Sequence, residues 1–252
     1  CHFSGEERPC YSIRETMKIF QLLQTEQQQF LVYLVLSAVV TLGTAVQVTR
    51  RPQIYSPFIG SIHPVLFIVF TSVLGGVLLA FLLARGWFSI FELQNLKGWF
   101  VAGGLALLFA AVMIVIDSRI ILPEDVNRPF PDSLLFYPTV GFVAEILFHV
   151  LPLTLLLFLA TSLFKSLSFE AVVWPCIFLV ALLEPAFQTW AGYSRPYPTW
   201  VMALIAVPIF LLNFTQLALF KRYDFVTMYS FRLVYYLLWH IVWGVIRLRV
   251  LF

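Results

Sequence analysis

Long apolar runs separated by short polar stretches are the dominant pattern along this chain. Each run is close to or longer than the ~20 residues that an α-helix needs to cross the hydrocarbon core of a bilayer. The runs predict seven membrane spans, at residues 30–48, 64–84, 99–116, 134–164, 171–190, 199–220 and 229–252. The pattern therefore predicts an all-α, polytopic membrane helical bundle and a multi-pass integral membrane protein.

The polar stretches indicate where the spans begin and end. Residues 12–29 mix charged residues and glutamines with apolar residues, which is typical of an amphipathic helix in the membrane interface. On this basis an N-terminal segment, residues 1–29, precedes a transmembrane domain, residues 30–252. The stretch 117–132 contains three prolines and four acidic residues, and it predicts an ordered loop outside the membrane.

Glycine and proline suggest how the spans pack and bend. The pairs Gly75-Gly76 and Gly103-Gly104 lie in the second and third spans. Because helices in lipid associate through close packing of small residues, we expect these two spans to touch. Pro138 and Pro152 predict bends in the long fourth span.

Composition restricts the partners of the chain. Hydrophobic residues make up 61% of the sequence and charged residues only 12%, about half the charged fraction of ordinary soluble domains. The lipid bilayer is therefore the first partner. The net charge of +3 is spread thinly, with no basic block suited to a phosphate backbone, so nucleic acid is not expected as a partner. Three scattered cysteines predict neither a disulfide framework nor a paired-cysteine zinc motif.

Four ionisable residues within the apolar runs are the candidates for chemistry: Glu145, His149, Glu184 and His240. A charged group at bilayer depth costs ~2.5 to 3.5 kcal/mol, so such residues usually face a bundle interior or a water-filled cavity. At ~1.5 Å per residue, the helix positions of Glu145, Glu184 and His240 fall in the central third of the bilayer. We therefore expect the four side chains to meet.

The residue types suggest two kinds of site. Glu145 and His149 have i, i+4 spacing and so share one helix face. Together with Glu184 and His240 they could hold a water between a general base and imidazole donors. Alternatively, His149, Glu184 and His240 could bind a divalent metal such as zinc.

The stretch Ala144-Glu145-Ile146-Leu147-Phe148-His149 resembles the Glu-Glu-x-x-x-Arg motif of the CAAX-type intramembrane proteases, the CPBP or abortive-infection membrane family. Residues 236–244, with His240 followed by Gly244, resemble the last motif of that family, a histidine followed four residues later by Asn or Asp. Residues 178–188, with Glu184, occupy the place of its Phe-x-x-x-His helix. The resemblance covers residues 134–250.

Membership of this family implies hydrolysis of a peptide or membrane-protein substrate within the bilayer. The resemblance makes Glu145 the base, His149 and His240 its water or metal partners, and Glu184 a ligand or second acid. The chain departs from the motifs at four positions: Ala144 replaces the first Glu, His149 replaces Arg, Glu184 replaces His, and Gly244 replaces Asn.

Two other functions remain open from the sequence. The chain could be a catalytically inactive scaffold, maturation partner or immunity partner of the same fold, because part of the motif set is missing. It could instead be a proton-coupled transporter in which the buried Glu and His residues form a relay. Arg232, near the start of the last span, is expected to extend to the interface, although it could instead pair with Glu184. Asn213 and Gln216 are expected to form hydrogen bonds between helices.

Overall fold

The structure is a computed structural model. It describes the backbone of residues 13–122, 126–192 and 198–252, and the side chains of the same residues apart from 13–25, 190–192 and 199.

Helices account for most of the described chain. The α-helices are α1 (Ile13–Arg50), α2 (Ser56–Ile59), α3 (Pro64–Ala84), α4 (Leu96–Ile120), α5 (Ser133–Ala144), α6 (Leu151–Leu163), α7 (Phe169–Ala181), α8 (Leu183–Gly192), α9 (Thr199–Arg222), α10 (Phe225–Tyr236) and α11 (Gly244–Val250). Two π-helical segments complete the longer helices: the first π segment, Glu145–Val150, joins α5 to α6, and the second, Leu237–Trp243, joins α10 to α11.

Seven helical stretches of the described chain are long and apolar enough to cross a membrane. They are Glu26–Arg50, Pro64–Ala84, Leu96–Ile120, Ser133–Leu163, Phe169–Thr189, Trp200–Arg222 and Phe225–Val250. The all-α membrane bundle and its multi-pass character are thereby confirmed. Because consecutive spans run in opposite directions, the connections after α3, α6 and α9 lie on the side where the first span begins, here named the N-terminal side. The connections after α1, α4 and α8 lie on the far side.

Two apolar clusters form the core, and both include residues of α9 and α10. One cluster joins these helices to α1, α3, α6 and α7, and the other joins them to α4, α5 and the second π segment. Against α10, helix α4 presents buried alanines at four-residue intervals, Ala102, Ala106 and Ala110. Small residues at this spacing let two helices approach closely in lipid. Helix α10 therefore lies at the centre of the bundle.

Residues 13–29 of the N-terminal segment are helical and continuous with the first span, since α1 runs without a break from Ile13 to Arg50. Residues 1–12 lie outside the described residues. The side chains of residues 13–25 also lie outside the described set.

The prediction that Asp117 begins an extramembrane loop was wrong. Helix α4 continues to Ile120, and Asp117 is fully buried. Its carboxylate accepts hydrogen bonds from Arg247 Nε at 2.8 Å and from the Trp243 indole at 2.7 Å. A buried carboxylate is tolerated when a guanidinium neutralises it and donors satisfy its oxygens. This ion pair joins the far-side ends of the third and seventh spans.

Proline affects the fourth and fifth spans differently. The fourth span continues through both Pro138, inside α5, and Pro152, in the first turn of α6. The fifth span breaks at Leu182, between α7 and α8. Pro185 has no N–H to donate to the carbonyl of Ala181, which explains a break at this point.

The glycine pairs do not join the second and third spans, so that expectation was wrong. At Gly75 an added Cβ would overlap the Tyr33 hydroxyl of α1 and the side chain of Ile146, so this glycine brings α3 close to α1 and the first π segment. At Gly103 and Gly104 an added Cβ would meet nothing within 4 Å. The first pair therefore serves close packing, and the second faces open space.

These glycines provide a matched test of packing. Gly75→Ala should lower the free energy of unfolding by about 1 to 3 kcal/mol, because the new methyl group overlaps buried neighbours. Gly103→Ala should be neutral or stabilise the protein, since alanine is the better helix former and has open space there. Equilibrium unfolding in mixed detergent measures both. Equal effects of the two substitutions would contradict this packing.

Candidate functional site

The two π segments contain three of the four candidate residues. Glu145 begins the first π segment and His149 lies near its end, while His240 lies within the second. In the first, the N–H of Leu151 donates to the carbonyl of Ile146, five residues back. Such wider turns are rare in proteins. Where they do occur, they are often at functional sites, because they shift side chains from their α-helical positions.

Arg232 lies at the centre of the polar cluster and is only 1% exposed. Its Nε donates to Glu145 Oε1 at 2.6 Å. Its Nη1 and Nη2 donate to the two oxygens of Glu184, at 3.1 and 2.7 Å. The expectation that Arg232 extends to the interface was wrong, whereas the alternative pairing with Glu184 is confirmed. The last span begins at Phe225, earlier than predicted, which places Arg232 deeper in the bundle.

Glu145 is fully enclosed by donors from three helical segments. Besides Arg232, the amide of Gln216 donates to its Oε1, and the ring Nδ1 of His149 donates to its Oε2 at 2.8 Å. Both Glu145 and His149 have no exposed surface. Both oxygens of the Glu145 carboxylate therefore accept hydrogen bonds from protein groups.

Polar groups from α8 and α9 complete the cluster around Arg232. Gln216 and Asn213 accept from its Nη2 at 3.1 and 3.4 Å, as expected for residues that join helices. Gln188 donates to Glu184 Oε1 at 3.0 Å. His149 Nε2 lies 4.0 Å from Glu184 Oε2. Side chains of the fourth, fifth, sixth and seventh spans thus meet at one buried point, here named the Arg232 cluster.

His240 lies apart from this cluster. Its Nδ1 is 2.6 Å from the Oδ1 of Asn127, and its ring stacks on Tyr137 with a centroid distance of 4.3 Å. No hydrogen bond joins His240 to Glu145, His149 or Glu184 in the described part of the chain. The structure therefore brings three of the four predicted residues together. His240 lies apart from them and hydrogen bonds to Asn127.

A cavity connects the two sets of residues. It has a volume of about 750 Å³ and is lined mainly by apolar and aromatic side chains. Its polar lining includes Glu184, Gln188, Arg232, Tyr236, His240 and Arg128. Glu145 is not among the described residues that line it. An apolar cavity of this size with a few converging polar groups is typical of a ligand or substrate site.

Asn127 packs against Gly244, the position where the family motif has Asn or Asp. A Cβ at Gly244 would lie 3.2 Å from both Cβ and Nδ2 of Asn127. The absence of a side chain at Gly244 therefore makes room for an asparagine from the α4–α5 connection. Asn127 is 93% buried and hydrogen bonds to His240. The motif alone does not predict this contact.

The cluster does not fit a resident divalent metal. Arg232 places a positive charge against both carboxylates, at 2.6 and 2.7 Å, and its N–H groups occupy the oxygens that a cation would need. No group of three His, Cys, Asp or Glu side chains in the described residues is arranged to hold a metal ion. The predicted ligand set of His149, Glu184 and His240 is divided, because His240 bonds to Asn127 instead.

Comparison with protein-family models, with curated proteins and with solved structures returned no match. The resemblance to the CAAX-type proteases stays a prediction from the motifs.

Sequence reasoning missed three residues that define this region: Arg232 as its central cation, Tyr236 and Asn127. Arg232 and Tyr236 share a helix face, and the Tyr236 hydroxyl accepts from Arg232 Nη1 at 2.9 Å. Two features of the sequence could have identified this pair: the i, i+4 spacing of Arg232 and Tyr236, and the need for a cation near two buried carboxylates. No local signal pointed to Asn127, which belongs to a loop and reaches His240 only through the fold.

Arg232→Lys tests whether the planar guanidinium is required. We expect a loss of about 3 kcal/mol or more in unfolding free energy, because one ammonium cannot hold Glu145 and Glu184 in the same geometry and leaves buried acceptors unpaired. Arg222→Lys, at an exposed position of α9, is the control and should change stability by less than about 0.5 kcal/mol. Detergent unfolding measures both, and a harmless Arg232→Lys would contradict the central role of the guanidinium.

Proposed function

We propose that this chain is an intramembrane hydrolase, a divergent relative of the CAAX-type proteases, in which His240 is the base that activates water. The observation that carries the proposal is the position of His240, an oriented imidazole on the wall of a large cavity at bilayer depth. The fold class, the buried polar groups and the order of the motif-like helices support the same proposal.

His240 is better placed than Glu145 to act as a base. Glu145 accepts hydrogen bonds from Arg232, Gln216 and His149, so both of its oxygens are occupied. In His240, Nδ1 carries the proton because the Oδ1 of Asn127 can only accept. The lone pair is therefore on Nε2, which makes the ring a proton acceptor. A water in the cavity within reach of Nε2 could transfer its proton there.

Tyr236 is the candidate donor to the developing oxyanion. Its hydroxyl oxygen accepts from Arg232 Nη1, which leaves the hydroxyl proton free to donate. Tyr236 lines the cavity, and its ring contacts His240 edge-to-face with a centroid distance of 4.9 Å. A donor polarised by a buried guanidinium stabilises negative charge strongly in a dry site.

The atoms and protons of the proposed reaction balance without a metal ion. Water gives its proton to His240 Nε2 while its oxygen attacks the substrate carbonyl carbon, and Tyr236 donates a hydrogen bond to the resulting oxyanion. The protonated His240 then transfers that proton to the leaving amine as the C–N bond breaks. The products are a carboxylic acid and an amine, and His240 returns to its neutral form.

The apolar walls of the cavity favour a substrate segment with apolar side chains. Phe136, Leu212 and Trp239 are among the side chains that line the cavity. Arg128 also lines a second pocket with Arg50, which lies at the far-side end of the first span. The proposed substrate is therefore a peptide or membrane-protein segment that enters from the far side of the bilayer.

His240→Ala provides the direct test. The purified protein would be reconstituted with a mixture of synthetic membrane-spanning peptides, and fragments would be measured by mass spectrometry. His240→Ala should lower the cleavage rate at least 100-fold, since it removes the base. The control is His63→Ala, an exposed histidine before α3, which should cleave at the wild-type rate. Cleavage by folded His240→Ala at the wild-type rate would contradict the proposal.

Asn127→Ala tests the positioning of the base. Without its partner the His240 ring loses its fixed tautomer and orientation, so kcat should fall about 10- to 100-fold while KM stays unchanged. The double variant Asn127→Gly/Gly244→Asn returns an amide to the same space and should recover more kcat than Asn127→Gly alone. An unchanged kcat in Asn127→Ala, or no recovery in the double variant, would show that Asn127 does not position the base.

A second candidate function is a catalytically inactive scaffold of the same fold. The hydrogen bonding of Glu145 and Arg232 to protein groups favours it, because a buried polar network also serves to hold helices in register. Under this reading no peptide is cleaved, and His240→Ala leaves partner binding intact. The transporter hypothesis stays a prediction.

A further inference from the structure

A second pocket lies on the N-terminal side, away from the cavity of the proposed active site. It has a volume of about 370 Å³ and lies between the end of α3 and the α6–α7 connection. Its polar lining consists of Arg85, Lys165, Thr161 and Ser162, and its apolar lining includes Trp87 and Phe169. This set of residues is here named the Arg85 pocket.

The Arg85 pocket carries positive charge that no carboxylate of the described residues neutralises. Neither Arg85 nor Lys165 forms an ion pair with a carboxylate of the described residues. Glu170, the acidic residue nearest to Lys165 in sequence, pairs instead with Lys221 at 2.9 Å. Two cations therefore face one concave space without a counter-ion from the described chain.

Aromatic rings hold the guanidinium of Arg85 in place. Its Cζ lies 5.0 Å from the centroid of the Phe81 ring and 5.4 Å from that of Trp87. Trp87 in turn stacks on Phe169 with a centroid distance of 5.5 Å. A cation over aromatic faces is oriented before any ligand arrives, which lowers the entropy cost of binding.

The residues at the rim of the pocket indicate that it lies at the membrane interface. Phe164 and Leu167, in the α6–α7 connection, are 54% and 53% exposed although they are apolar. Both line the pocket beside Lys165. Apolar side chains beside cations and a tryptophan at the end of a span are typical of the headgroup level of a bilayer.

We propose that the Arg85 pocket binds the phosphate of an anionic phospholipid in the leaflet on the N-terminal side. Arg85 supplies a planar fork of donors that matches phosphate, and Lys165 supplies a second positive charge. The acyl chains of the lipid extend along Phe164 and Leu167 into the leaflet. This site is independent of the proposed hydrolase, because it lies at the opposite end of the spans and shares no residue with the active-site cavity.

Native mass spectrometry of the delipidated protein in detergent tests this site. The probes are phosphatidylglycerol, phosphatidylcholine and inorganic phosphate, each titrated against the intact chain. Phosphatidylglycerol should bind as one tight equivalent. Arg85→Gln/Lys165→Gln should weaken it about 30-fold, which is about fivefold for each lost cation. The control, Lys97→Gln/Arg222→Gln, removes two exposed charges from the same side and should retain the tight equivalent.

The comparison of probes and variants decides the outcome. Equal weakening by the control pair would show general attraction to a basic surface and would overturn the site. Equal affinity for phosphatidylcholine would show that the anionic headgroup is not recognised. Competition by inorganic phosphate at the concentration of the lipid would identify a free-phosphate site instead. His240→Ala should bind phosphatidylglycerol like the wild type, so failure of the hydrolase proposal leaves this result unchanged.

Discussion

The charge of one buried guanidinium, Arg232, is the constraint on which the rest of the structure depends. A positive charge within the bundle requires acidic partners, and Glu145 and Glu184 contact it at 2.6 and 2.7 Å. Those carboxylates come from the fourth and fifth spans, while Gln216 comes from the sixth. Four spans must therefore pack in one register, because a shift of any of them would leave a charge or a donor unpaired in a dry environment.

This arrangement separates a sealed region from an open one. Glu145 and His149 have no exposed surface and bond to each other, whereas Glu184, Tyr236 and His240 line a cavity of about 750 Å³. Arg232 belongs to both regions, since it holds the sealed carboxylate and also polarises the Tyr236 hydroxyl. The network thus supports the wall on which the proposed chemistry takes place. The same sealing also explains why an inactive scaffold remains the second candidate.

Hydropathy predicted the fold well, because seven apolar runs and the length of a bilayer leave few alternatives. The meeting of Glu145, His149 and Glu184 was also predictable, since ionisable residues at bilayer depth usually contact a partner. The same argument placed His240 with them and was wrong there, because His240 bonds to Asn127 instead. Arg232 and Asp117 were misplaced because hydropathy locates span ends poorly where a buried ion pair lies near them. Asn127 could not be predicted, since its contact with His240 depends on how a loop folds over Gly244.

A double-mutant cycle between Glu184 and Arg232 tests the central claim most directly. Unfolding free energies would be measured for the wild type, Glu184→Gln, Arg232→Met and the double variant. If the network holds the spans together, each single variant is strongly destabilised. The double variant then loses much less than the sum, with a coupling of about 2 kcal/mol or more. Additive losses, with coupling below about 0.5 kcal/mol, would contradict the account.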